Sequence, residues 1–336
     1  MSGNYDKSNV VLEVKDLRVQ YRASGEVVEA VNGVSFQLHE KQSLALVGET
    51  GAGKTTIAKA IMSILPDPPA KVVGGEIFFE DQDMLNMKEK QLRKIRGEKI
   101  SMIFQDPMTA LSPVFTIGNQ IEEAYKEHYK VSRAEAKKRT VELLNMVGIP
   151  AERYNEYPHQ FSGGMRQRVV IAIALACNPS ILIADEPTTA LDVTIQAQVL
   201  DLISRLREQN GTSMILITHD LGIVAENCDD VAIVYAGEIV ELGTKEHIFN
   251  ETAHPYTQGL FGALPDMAQG RDKLNPIFGL PPNPANLPKG CKFHPRCPHA
   301  TERCALEEPS MLEISEGHYS RCFINPYEEG QDGHFD

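Results

Sequence analysis

No run of apolar residues in this chain comes near the roughly 20 needed to cross a bilayer as a helix. Runs such as Ile181–Ala184 and Met214–Ile217 have strand length. The opening residues MSGNYDKSNV lack the apolar stretch of a secretory signal. Any role at a membrane is therefore expected to run through a partner subunit, with this chain in a reducing cytosol. Positive charge is also scarce: 33 Lys and Arg stand against 46 Asp and Glu, a formal net charge of −13. Surfaces that bind nucleic acid carry a basic footprint, so the average charge argues against such a partner, a local basic groove aside. The remainder is ordinary for a globular chain, with 42% hydrophobic and 24% charged residues. Its 336 residues hold one large domain plus an appendage, or two modest domains.

Alternating apolar patterns at Val11–Tyr21 and Val27–Leu38, parted by Ala23-Ser24-Gly25, predict antiparallel edge strands. Ser43–Val47 predicts a buried strand, followed by a Gly-rich loop and a helix from about Thr55 to Leu65. Ile57, Ile61, Ile64 and Leu65 share one face of that helix, and Pro66, Pro68 and Pro69 end it. A further strand is expected at Glu76–Glu80. Residues from about Lys88 to Ala176 read mainly as helix, Ala134–Val147 most clearly, and 110–176 as a helical insertion. Buried strands return at Ile181–Asp185, Met214–Thr218 and Val231–Tyr235, with a hairpin near Ala236-Gly237. Strands alternating with helices imply an α/β fold built on a mostly parallel sheet with an antiparallel edge. Residues 255–326 hold 11 of the 20 prolines and four of the six cysteines, too much proline for regular helix or central strand. A domain is therefore expected over 1–250, a small loop-rich module over 251–326, and a disordered tail at 327–336.

Gly48-Glu-Thr-Gly-Ala-Gly-Lys-Thr55 fits the G-x-x-x-x-G-K-[ST] phosphate loop, with a strand before it and a helix after. Glycines let backbone N–H groups curl round a phosphate, and the helix N-terminus adds its positive end. Gly48, Glu49, Thr50, Gly51, Ala52 and Gly53 would form the cradle, with Thr56 beside it. Lys54 would neutralise phosphate charge and the Thr55 hydroxyl would ligate Mg²⁺. Taken alone, the loop says only nucleoside triphosphatase. Ile181–Asp185 is a buried strand, and the chain leaves it through two successive carboxylates, Asp185 and Glu186. Asp185 can hold Mg²⁺, and Glu186 can take a proton from an attacking water as general base. A strand ending in two acids is common, and only its pairing with the phosphate loop favours that reading.

Between these lies Phe161-Ser-Gly-Gly-Met-Arg-Gln-Arg168, which resembles the signature sequence of ATP-binding cassette (ABC) proteins, usually LSGGQ. Phe161 and Met165 depart from the usual form, while Ser162, Gly163 and Gly164, the phosphate-contacting residues, are present. Gln105, after the strand Ile100–Phe104, is similar to the glutamine that senses Mg²⁺ and the attacking water. Ala190-Leu191-Asp192 resembles the loop that crosses the cassette dimer, His219 the histidine near the γ-phosphate, and Tyr21 the aromatic stacked on adenine. Singly, each has a plainer explanation, such as a solvated strand-end histidine or edge packing at Tyr21. Six elements in the same order identify the cassette. The resemblance implies two cassettes sandwiching ATP head to tail, with Glu186 and His219 hydrolysing it. Opening and closing would drive a membrane partner docked near Asp106–Gln120.

Phe104–Pro113, Tyr157–Gln160, Ala184–Gln198 and His254–Thr257 resemble the oligopeptide/dipeptide importer branch over about residues 10 to 325. Nickel and glutathione importers are close relatives. This implies a second cassette (a paralogue), two transmembrane permeases and an extracellular solute-binding protein, with the chain on the cytoplasmic face of the membrane. A soluble cassette ATPase acting on ribosomes or nucleic acid is the rival; the single phosphate loop, modest insertion and negative charge oppose it. Cys291, Cys297, Cys304 and Cys322 are spaced C-x5-C-x6-C-x17-C, without the paired knuckles of structural zinc. Four thiolates suit an iron–sulfur cluster, and the similar segment of the family carries [4Fe–4S]. Zinc, with His294 or His299 as substitute ligands, and free thiols stay open. Cys177 and Cys228 read as buried small hydrophobes.

Overall fold

The computed structural model describes residues 6–23, 25–189, 191–262 and 277–324. Ala190 and the expected tail at 327–336 lie outside the described residues. Two sheets form. The smaller takes strands β1 (Asp6–Ala23), β2 (Glu26–Glu40), β4 (Ala70–Phe79) and β5 (Gln82–Asp83), antiparallel throughout, in the order β2-β1-β4-β5. The larger has eight strands. Its parallel part is β3 (Ser43–Val47), β6 (Ile100–Ile103), β7 (Ile181–Asp185), β8 (Ser213–Thr218) and β9 (Asp230–Tyr235), joined by β10 (Glu238–Thr244), β11 (Leu312–Ser315) and β12 (His318–Ser320). The order is β11-β12-β10-β9-β3-β8-β7-β6, and the strands from β9 to β11 pair antiparallel.

The residues of β3, β7, β8 and β9 are all buried, because the sheet is covered on both faces. Alternation divides them between two cores. Leu44 and Leu46 of β3 pack with Ile57, Ile61 and the small sheet's Leu12, Leu17 and Ile77. Ala45 and Val47 face the other way, onto Val169, Leu202 and the helical insertion. Among the described residues no helix is long and apolar enough to cross a membrane.

Three expected boundaries move. The helix after the phosphate loop runs Lys54–Ile61 and stops a turn earlier than its apolar face suggests. Pro66 disfavours helix before it, Ser63 turns left-handed (φ 51°), and Arg96 donates to the freed carbonyls of Met62 (2.8 Å) and Ser63 (2.6 Å). The strand expected at Glu76–Glu80 begins at Ala70. The proline-rich region, expected to be loop-rich without regular helix or central strand, holds helices Pro255–Gly262 and Glu302–Leu306 and the β11–β12 hairpin. Pro255 stands at a helix start, where its missing N–H costs nothing. Through β12 the hairpin extends the main sheet, Glu241 opposite Ser320 and Leu242 opposite Tyr319.

Candidate nucleotide site

Strand register assembles the site. Val47 lies opposite Thr218, Asp185 opposite Ile217, and Ile103 opposite Ala184. The chain therefore leaves β3, β6, β7 and β8 at one edge, delivering Gly48, Gln105, Glu186 and His219 side by side. The carboxyl ends of parallel strands are where open α/β sheets hold ligands.

Two loop positions require glycine. A Cβ on Gly48 would stand 2.1 Å from the Val234 carbonyl oxygen, and one on Gly53 2.4 Å from that of Ala30. Gly53 (φ 103°) leads into helix Lys54–Ile61. Lys54 is buried and its ammonium donates to the carbonyls of Gly48 (2.7 Å) and Glu49 (3.0 Å). Burial pushes its pKa down, against the pull of Glu186, Asp185 and Glu49. The Thr55 hydroxyl donates to Asp185 at 3.1 Å. Asp185 is buried, which raises its carboxyl pKa. A hydroxyl and a carboxylate facing each other at a helix start suit a hard cation with oxygen ligands. Ala52 is buried beneath the loop while Thr50 is exposed.

Glu186 has a left-handed backbone (φ 44°), held by its N–H donating to Ile217 O at 2.9 Å. One carboxylate oxygen accepts from Gln105 Nε2 (2.8 Å) and the Thr189 hydroxyl (3.0 Å). The other lies 3.3 Å from His219 Nδ1. Burial would raise the carboxyl pKa, but His219, Thr189 and Lys54 together bring it below the ordinary value. Glu186 is thus an ionised, oriented carboxylate at neutral pH. The Tyr21 and Thr56 hydroxyls share a hydrogen bond (3.3 Å), placing the tyrosine beside the loop helix.

The signature residues stand apart from this network. Ser162 caps helix Gly163–Ala174 and accepts from Met165 N–H at 3.4 Å. A Cβ on Gly164 would come within 2.5 Å of Ile195, in the helix Val193–Asn210 that Asp192 caps. Ser162, Gly163 and Asp192 are solvent-exposed.

Sequence reasoning missed Thr189, and it missed two contacts from the C-terminal region to the phosphate loop. Glu49 N–H donates to the Tyr256 hydroxyl (3.0 Å), and Arg296 donates to both Glu49 carboxylate oxygens (2.7 and 3.0 Å). An acidic side chain in a phosphate-binding loop is the one local hint that a cation is needed nearby.

Cys291, Cys297, Cys304 and Cys322 line one small cavity, walled by Phe293, Phe323 and Ile324. Burial pushes the thiols of Cys297 and Cys322 up to about 11. Among the described residues no group of three or more His, Cys, Asp or Glu stands arranged to hold a metal ion. His294 turns its Nδ1 to the Cys291 carbonyl, 2.8 Å away. Cys177 and Cys228 are buried.

Residues 31–189 match the family described as ABC transporter, and 240–304 match the oligopeptide/dipeptide transporter C-terminal region. The oligopeptide transport ATP-binding protein OppD of Bacillus subtilis is 50% identical over 94% of this chain and 88% of its own length. The dipeptide transport ATP-binding protein DppD of Escherichia coli is 44% identical over 93% and 96%. Among solved structures, the dimeric cassette MJ0796 bound to ADP and Pi is 29% identical, with a TM-score of 0.63 over 70% of this chain and 98% of that one. Identity of this extent, running from the phosphate loop through the cysteine region, makes the chain a member of the family of ATP-binding subunits of oligopeptide/dipeptide ABC transporters.

Proposed function

We propose that this chain hydrolyses MgATP at the edge shared by β3, β6, β7 and β8, and uses that cycle to power peptide import through a membrane partner. The observation that carries the reading is the Glu186 carboxylate, fixed by Gln105, Thr189 and His219 beside the joined Thr55–Asp185 pair. Lys54 and the loop amides would cradle the phosphates. Thr55 and Asp185 would hold Mg²⁺, which supplies positive charge against the phosphate oxygens. Glu186 accepts the proton of the attacking water, and its donors aim the carboxylate.

Ser162, Gly163 and Gly164, standing apart from these residues, are suited to close on a nucleotide held by another cassette. The relatives' names supply the cargo class, oligopeptides and dipeptides. We assign as partners a second, paralogous cassette, two permeases and an extracellular solute-binding protein, with the chain peripheral on the cytoplasmic face.

We further propose that Cys291, Cys297, Cys304 and Cys322 hold a [4Fe–4S] cluster. Support comes from the donor set, four sulfurs on one apolar-walled cavity. Anaerobically purified protein should contain iron and acid-labile sulfide in the ratio of the cluster; zinc, or no metal, overturns this assignment.

Glu186→Gln should lower ATP hydrolysis by about 10²–10⁴-fold while retaining ATP. Purified from its native membrane with ATP present, that variant should bring down polytopic permeases and a second cassette. Recovery of ribosomal proteins or nucleic acid without a membrane protein overturns the import reading.

A further inference from the structure

The phosphate loop carries a carboxylate at its second position, Glu49, where an incoming polyanion would meet negative charge. The structure answers it from the far end of the chain. Arg296 grips Glu49 through both terminal guanidinium nitrogens, at 2.7 and 3.0 Å, and its side chain is only 6% exposed. The fork is itself held, since Arg296 Nε donates to the Phe278 carbonyl (3.1 Å) and a terminal nitrogen approaches the Tyr235 hydroxyl (3.4 Å).

The backbone behind Arg296 is equally fixed. It ends the single-turn helix His294–Arg296 between Cys291 and Cys297, with its N–H donating to Phe293 O at 2.9 Å. Phe293 packs edge-on against Tyr235 (5.3 Å) and Tyr256 (5.4 Å). Tyr256 in turn accepts the Glu49 N–H, so side chain and backbone of one loop residue are both tied to the C-terminal region.

We propose that Arg296 is a positioning residue for the phosphate loop: it neutralises Glu49 and fixes the loop, making the cysteine-bearing C-terminal region a determinant of nucleotide affinity in the same subunit. A bidentate guanidinium–carboxylate pair is planar and directional. It holds the Glu49 carboxylate against the C-terminal region and cancels its charge. Without it the carboxylate is free to turn towards the phosphates, and of Glu49's two ties to the C-terminal region the Tyr256 tether remains.

The inference rests on nucleotide occupying this loop. It is tested on the full-length chain by displacing a fluorescent ATP analogue with MgATP. Wild-type protein that binds no MgATP overturns the site reading itself; effects confined to the variants bear on Arg296. Arg296→Met should weaken MgATP binding about tenfold, raising KM for ATP far more than it lowers kcat. Adding Glu49→Gln to that variant should restore most of the loss, because the unpaired charge is gone. A role in holding the C-terminal fold alone cannot be rescued that way. Wild-type affinity in Arg296→Met, or a double variant as weak as the single, overturns the proposal. If Arg296→Met does not fold, Arg296→Lys with and without Glu49→Gln carries the same test, since the ammonium keeps charge but loses the fork. There a roughly threefold loss, rescued by the amide, is expected, and an unrescued or absent loss overturns it.

Discussion

Thr189→Val isolates how Glu186 is aimed. The substitution keeps the shape of the side chain and deletes the hydroxyl that donates to Glu186 Oε2 at 3.0 Å. Hydrogen bonds to charged groups contribute about 1.5–3 kcal/mol. Thr189 is solvent-exposed, so screening and water competition reduce this to about 1 kcal/mol, or roughly a fivefold fall in kcat. KM for ATP should hold, because the threonine bonds to the base and not to the phosphate loop. The pH profile adds a second readout. Thr189 is one of the groups that bring the Glu186 pKa below its ordinary value. Removing it lets that pKa rise, and a base works only when ionised. The acid limb of kcat should therefore move to higher pH while the rate near neutrality shows only the positioning loss. Thr189→Ser, which retains the donor, should behave like wild type. The assay is steady-state hydrolysis over a grid of ATP concentration and pH. A loss that appears in KM, or an acid limb that stays put as kcat falls, would refute the reasoning.

Gly48→Ala would push a methyl group to 2.1 Å from the Val234 carbonyl oxygen in the fully buried β9, where neither backbone can yield cheaply. A destabilisation of about 1–3 kcal/mol is expected, read as a lower urea midpoint at constant m-value; an unchanged midpoint contradicts it. Glu241 has no exposed surface and accepts from Ala253 N–H (2.8 Å) and His254 N–H (3.0 Å), with His318 Nε2 at 2.9 Å. Glu241→Ala strands these buried partners and should cost about 3–5 kcal/mol. Limited proteolysis should then cut first around β11 and β12, and a wild-type digestion pattern would count against that role.

Much of the site is legible in the sequence because it sits at strand ends. Ile181–Asp185 and Ser43–Val47 are short apolar runs bounded by polar residues, and both form at the expected limits. Once such strands lie parallel, the residues just beyond their carboxyl ends meet at one edge, so Gln105, Glu186 and His219 converge without any local signal of contact. Other features have no such route. Glu49 and Arg296 are 247 positions apart, and nothing in either neighbourhood names the other. Arg96 as the cap of a helix more than thirty residues earlier is similar. The β11–β12 hairpin escapes because strands of 4 and 3 residues carry too short a pattern to read as strands. Pro255 reads as a breaker when composition is weighed without regard to position within the turn.

The joining of β12 to β10 has a consequence in time. During synthesis β10 is complete at Thr244, but its partner does not exist until His318–Ser320, about seventy residues later. At ribosomal rates that interval lasts roughly 4 to 14 s. Throughout it the largest sheet of the nascent protein ends in a strand with an unpaired backbone, the kind of edge that recruits other chains. The C-terminal region thus supplies the plank that covers the β10 edge, and until it is made that edge stands open.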